Sequence, residues 1–138
     1  MKKYEFTGEI KQAGIFGEIT LKRIRAVVAF GCVEVGELGG WIQEEKNLSH
    51  DGDAWVCGDA RVCKVEHLLV IGRIGSRSAF TTFFRDKDNQ ISVRCGRFLG
   101  KLDAFLEKVT GTHGESKHAL VYKAAVEVAK LQIELDKE

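Results

Sequence analysis

Proline is absent from this chain, which removes the one residue that makes turns by a fixed φ. Its 15 glycines take over, because glycine enters left-handed backbone at little steric cost. Charge of one sign is lacking too. A formal net charge of +1 gives no global field toward a nucleic-acid polymer or an anionic membrane, so anion binding has to come from a local cluster. Apolar runs are short: stretches such as Leu68 to Ile71 fall far below the ~20 residues that span a bilayer. No basic segment leads into an apolar one at the start, and the expectation is a cytoplasmic protein that is neither exported nor embedded in a membrane. The cysteines Cys32, Cys57, Cys63 and Cys95 form no CxxC pair and do not crowd the chain as a disulfide scaffold would, so they are expected as reduced thiols, mostly in the core.

Catalytic patterns are also missing. The segment Gly72-Arg73-Ile74-Gly75-Ser76-Arg77 lacks the Gly-Lys-Ser/Thr ending of a P-loop and is not a GxGxxG fingerprint, although its backbone N–H groups can cradle an anion. No Ser or Cys stands in a nucleophile elbow, and the acidic residues are scattered. Cys57, Cys63 and His67 are close in sequence, but six-residue spacing turns the two thiols toward successive faces, so no zinc site is expected. The reading is a non-enzymatic protein without metal or cofactor.

What is present is the composition of a folded chain, 30% charged and 44% apolar. At 138 residues it suits a single domain, 1–138, that buries roughly two thirds of its unfolded surface. The expected class is α+β, with a β-rich core over 1–98 and a helical region over 101–137. Residues 3–30 alternate as strands, with Gly14 and Gly17 marking a hairpin reversal. Gly52-Asp53-Ala54-Trp55-Val56-Cys57 and Gly58-Asp59-Ala60-Arg61-Val62-Cys63 are identical at five of six positions. A six-residue period with small Ala and inward Val is the pattern of a left-handed parallel β-helix, with the aspartates at its corners. Two hexads make little more than one coil, and a coil cannot cover its own apolar face. Strands return at Leu68 to Ile71, Phe80 to Phe84 and Ile91 to Cys95, the last two joined by a turn at Asp88-Asn89. Leu102, Phe105, Leu106 and Val109 then recur at helical spacing up to Gly111, and Ser116 is the expected N-cap of a longer helix.

On that last helix Lys123, Glu127, Lys130, Glu134 and Lys137 form one narrow polar stripe, while most other positions are apolar. One sheet needs only a ~100° apolar stripe. The excess predicts a homo-oligomer, a dimer or a multiple of dimers, with Val121 and Val128 at its contact.

The segment 73–98 gathers what an anionic, ring-bearing ligand requires. Arg77, Arg85 and Arg94, with Arg73 and Arg97, offer forks for phosphate; Phe80 and Phe83, with Phe84 and Phe98, offer ring faces; Thr81, Thr82, Asp86 and Asn89 offer directional hydrogen bonds. His113 lies before the long helix, whose N-terminal amides favour an anion. The competing reading is that the phenylalanines alternate into the core and the arginines are solvated.

The stretch Gly36-Glu37-Leu38-Gly39-Gly40-Trp41-Ile42, with Asn47-Leu48-Ser49-His50-Asp51-Gly52 and Ala54-Trp55-Val56, resembles phage and prophage proteins that carry hexapeptide-type coils. Ile71-Gly72-Arg73-Ile74-Gly75-Ser76-Arg77, Thr81-Thr82-Phe83-Phe84, Cys95-Gly96-Arg97-Phe98-Leu99-Gly100 and Thr112-His113-Gly114 resemble their C-terminal region. In size and layout the chain is similar to the Thoeris anti-defence sponges. That resemblance implies an oligomeric phage protein in the host cytoplasm. It would sequester a cyclic nucleotide immune signal, of the cyclic ADP-ribose isomer class, without cleaving it. The alternatives are an inhibitor acting by direct contact with a host protein and a relative of hexapeptide acyltransferases.

Overall fold

The computed structural model describes the chain except for Met1, Ile15, Cys32, Gly52, Asp53, Gly58, Asp59, Cys63, Lys64, 76–78, Arg97, Glu134 and 136–138, and gives only the backbone of Val65 and Ala79. It has two four-stranded sheets followed by two helices, which is the expected α+β class.

Strand β1 (Tyr4–Ala13) pairs antiparallel with β2 (Ile19–Ala26), from Tyr4↔Ala26 to Ala13↔Ile19. The turn closes with a hydrogen bond of 3.2 Å from Gly17 N–H to Gly14 C=O, as the hairpin reading requires. The strand pattern was expected to run on through Val28 and Phe30. It stops at Ala26, whose N–H and C=O are taken by Glu37 and Gly36, and Phe30 joins Val33 only through an isolated bridge. Strand β3 (Leu38–Ile42) adds antiparallel to β2, and the short β4 (Arg61–Val62) adds parallel to β3.

The described residues of the hexads bond to this sheet at β3. Ala54, Val56, Ala60 and Val62 are all buried, and the N–H groups of Gly40, Trp41 and Gln43 donate to Val56, Ala60 and Val62 carbonyls at 2.9, 3.1 and 3.0 Å. A β-helix is not shown: the described part of the repeat contributes one two-residue strand with one parallel neighbour. Asp53 and Asp59, the expected corners, lie outside the described residues.

The second sheet is an antiparallel meander of β5 (Leu68–Ile74), β6 (Ala79–Arg85), β7 (Ile91–Cys95) and β8 (Phe98–Lys101), with β8 unanticipated. Helices α1 (Leu102–His113) and α2 (Lys117–Gln132) follow. Gly111 lies within α1 rather than ending it. Gly114 ends it at φ 58°, a backbone conformation that favours glycine, its N–H donating to Thr110 C=O at 2.8 Å. Ser116 holds the N-cap position, though its side chain makes no capping hydrogen bond, and α2 leaves helical geometry at Ile133 instead of running to 137.

The second sheet is the middle layer. Phe84 packs with Trp55, Val56, Val62, Ile24 and Ile42 against the first sheet. Its neighbour Phe83 packs with Val93, Phe105, Tyr122 and Val126 under the helices. Alternation along β6 therefore feeds two cores, which is why this strand carries apolar residues in both parities. Among the described residues no helix is long and apolar enough to cross a membrane.

Candidate functional site on the open half of the second sheet

Strand parity and register sort the side chains of the middle sheet into rows. Leu68, Phe84, Ser92 and Lys101 are cross-strand neighbours on the face turned to the first sheet, and Leu68 and Phe84 join the core there. The next row on the same face is Val70, Thr82, Arg94 and Leu99. Here the cover thins. Thr82 is buried and its Oγ1 accepts the Trp55 N–H at 3.4 Å, while Val70 and Leu99 at the row's ends are 37% and 46% exposed. One step further along β6 stands Phe80, with the Arg73 guanidinium 5.7 Å from its ring centroid, a cation–π contact.

Arg94 is the fixed point of this face. Its Nε donates to Gly96 C=O at 2.8 Å. Its Nη1 lies 3.5 Å from Cys57 Sγ and 3.6 Å from Glu37 Oε2, both supplied from the first-sheet side. Nε and Nη1 belong to different forks of the guanidinium, so each fork has one arm engaged, and Nη2, which the two forks share, has no protein partner among the described residues. Burial pushes the Cys57 thiol above its ordinary value, the Arg94 contact and charge opposing this and the Glu37 carboxylate adding to it. Burial thus favours the neutral thiol over the thiolate.

The structure divides the nine residues expected to bind a ligand. Phe80 and Arg94 lie on the open face just described. Thr81 and Phe83 lie on the opposite face, fully buried. Thr81 Oγ1 donates to Cys95 Sγ at 3.4 Å, and Phe83 meets Phe105 edge-on at 6.3 Å, so that ring presents no face to a base. Arg85 is buried at the strand's end, its Nε donating to Arg61 C=O at 3.1 Å. Asp86 is buried in the β6–β7 turn. Its Oδ1 accepts the N–H groups of Asp88 (2.9 Å) and Gln90 (3.1 Å), and its Oδ2 accepts Ser92 Oγ (2.7 Å) and Lys101 Nζ (2.6 Å). Those four bonds fill the carboxylate with structural work. Asn89 completes the same turn at φ 56°. His113 ends α1 and stacks on Tyr122 with ring centroids 5.8 Å apart, on the helix side. Arg77 lies outside the described residues.

Glu37, Cys57, Val70 and Leu99 were not anticipated at the site, whereas Thr82 was part of the expected cluster. Parity sets Thr82 on the face of Phe80 and apart from Thr81; the contacts of Glu37 and Cys57 depend on how the two sheets meet, for which the sequence carries no local signal. No group of three or more His, Cys, Asp or Glu among the described residues is arranged to hold a metal ion. No protein-family model, curated protein or solved structure matches the chain.

Proposed function

We propose that this chain is a binding protein for a small phosphorylated, ring-bearing molecule, held at the open half of the second sheet and released chemically unchanged. The observation that carries the reading is Arg94, positioned by Gly96, Cys57 and Glu37 with Nη2 open, beside the Arg73–Phe80 pair. A phosphate would accept the N–H groups of Arg94 Nη2 in charge-assisted hydrogen bonds, and Arg73 and Phe80, about 7 Å further along the strands, would meet the ligand's ring. A pre-positioned guanidinium reduces the ordering cost that binding otherwise incurs. With the sequence resemblance, the ligand class proposed is a cyclic nucleotide signal of the cyclic ADP-ribose isomer type, and the role is that of an anti-defence sponge. The parallel β3–β4 pair with its inward Ala and Val residues is taken as the remnant of a short hexapeptide coil.

Calorimetric titration with cyclic ADP-ribose isomers and a panel of cyclic dinucleotides tests this, followed by heat release and chromatography of the ligand. The expected result is saturable binding with intact ligand recovered. Arg94→Ala should weaken binding by about 10- to 100-fold, the value of one charge-assisted contact set, and Arg94→Lys should not restore it, because an ammonium lacks the planar fork. Capture of none of these ligands rejects the reading, and recovery of a hydrolysed product moves the protein to the enzymes.

A further inference from the structure

Glu37 approaches Arg94 without bonding to it. Between β2 and β3 the chain closes through a turn in which Gly36 takes φ 85°, Glu37 N–H donates back to Glu34 C=O at 3.0 Å, and Glu37 C=O accepts Ala26 N–H at 2.9 Å. The side chain is tied to the same turn, Oε1 accepting Glu34 N–H at 3.4 Å. Its other oxygen, Oε2, stands 3.6 Å from Arg94 Nη1, whereas a carboxylate that held the guanidinium would close to about 2.7 to 2.9 Å. The holding is done by Gly96 C=O at 2.8 Å and by Cys57 Sγ. Among the described residues no other carboxylate pairs with Arg94, so Glu37 is the negative charge that an incoming anion meets.

Given the phosphate proposed for Arg94 Nη2, on which this rests, we infer that Glu37 sets the charge the site accepts, favouring the single charge of a phosphodiester over the two charges of a terminal phosphomonoester. An arginine alone would favour the dianion, because its attraction grows with the charge it meets. Glu37 opposes that gain. A phosphate bonded to Nη2 lies roughly 5 to 8 Å from Glu37 Oε2, since both Nη atoms sit on one carbon, and both side chains are half-buried. At that separation the repulsion is worth on the order of 10-fold in affinity for each ligand charge. A diester bears it once. A monoester carries close to two charges above its second pKa of about 6 and bears it twice. The dianion also gives up more hydration on binding, and with its extra attraction offset that cost decides against it. Ordinary mononucleotides are thereby disfavoured at a site that their base and sugar would otherwise suit.

The test pairs 3′,5′-cyclic AMP, a diester, with 5′-AMP, a monoester of the same nucleoside, each titrated at about pH 8 into wild type and Glu37→Gln while the Arg94 side-chain resonance is followed by NMR. Glutamine keeps the size of the side chain and an oxygen for Glu34 N–H, and removes the charge. Wild type is expected to bind the cyclic nucleotide more tightly, and Glu37→Gln to shift the ratio of the two affinities toward 5′-AMP by on the order of 10-fold. The melting temperature should stay within about 1 °C, because a long, half-exposed ion pair contributes little to stability. A wild type that binds 5′-AMP as tightly as the cyclic form, or a ratio unchanged in Glu37→Gln, overturns the inference and leaves the phosphate site standing. Equal loss of both affinities would make Glu37 a support of Arg94 and overturns it too. If neither nucleotide moves the Arg94 resonance at about 10 mM, the phosphate site itself fails and the inference falls with it.

Discussion

Replacing Asp86 by alanine is expected to lower the unfolding free energy by about 3 to 5 kcal/mol, the range for breaking a buried charged network by removing one member. The carboxylate is 1% exposed and accepts from two backbone N–H groups, one hydroxyl and one ammonium. Alanine leaves the Asp88 and Gln90 amides and Ser92 Oγ without their acceptor in a site that water reaches poorly, and each such loss costs about 1 to 3 kcal/mol. The melting temperature should fall by about 10 °C or more for a chain of this size. Asp86→Asn keeps one acceptor oxygen and the shape of the turn, so its loss should be about half as large. A circular-dichroism melt of the three proteins decides the matter, and an alanine variant within 1 °C of wild type would show that the turn repairs itself with solvent.

The same network sets part of the pH dependence. Burial alone would raise the Asp86 carboxyl, but the hydrogen bonds from Lys101, Ser92 and the Gln90 and Asp88 amides outweigh it and hold the group below the usual carboxylate range. A depressed folded-state value means stability that is fully present above the unfolded value of about 3.9 and is lost as pH falls through the folded value. Lys101 runs the other way. Its burial lowers the ammonium, and the bonds to Asp86 and Asp88 more than offset this and raise it. Its contribution is complete below the unfolded lysine value of about 10.4 and fades as pH rises through the folded one. At 42% side-chain exposure, solvent screening makes this the smaller of the two effects.

How much of this was legible in the sequence follows from which interactions are local. Helix positions, the β1–β2 hairpin and the Asp88-Asn89 turn came from spacing and turn chemistry, which act within a few residues. The chemical cluster of 73–98 was also legible as composition, but composition does not say which face a residue takes. Parity along β6 does, and it separates Phe80 from Phe83. What it could not show is that both faces would be covered, so that Phe83 is enclosed by Phe105 on α1. Asp86 looked like a reader of a ligand edge because its partners were hidden. Lys101 reaches it only because β8 exists, and that strand has too short a pattern to stand out. The excess apolar width of the last helix was readable and remains: helix packing inside the protomer leaves Leu120, Val128 and Leu131 outside.

Gly40→Ala and Ala60→Gly, combined in one chain, are expected to destabilise much less than the sum of the two alone. A Cβ on Gly40 would stand 2.7 Å from Ala60 Cβ, with Cys57 N and O at 3.3 and 3.4 Å. Two methyl carbons cannot share that space, and both elements are pinned. Trp41 N–H bonds Ala60 C=O at 3.1 Å and Gly40 N–H bonds Val56 C=O at 2.9 Å. Gly40→Ala must therefore push β3 away from the second hexad, at a cost of about 2 to 3 kcal/mol for an overpacked core. Ala60→Gly removes a fully buried methyl and loosens the backbone, at about 1 to 2 kcal/mol. Together they exchange one methyl across the gap, leaving only the tight approach to Cys57, and the coupling should be about 1 to 2 kcal/mol in favour of the pair. Denaturant midpoints at unchanged slope measure it directly. The sign carries the meaning: positive coupling says that the hexad position stays small because β3 lies on it, whereas additivity within about 0.5 kcal/mol would mean that the clash is relieved by movement elsewhere and that the repeat's alanines are small for another reason.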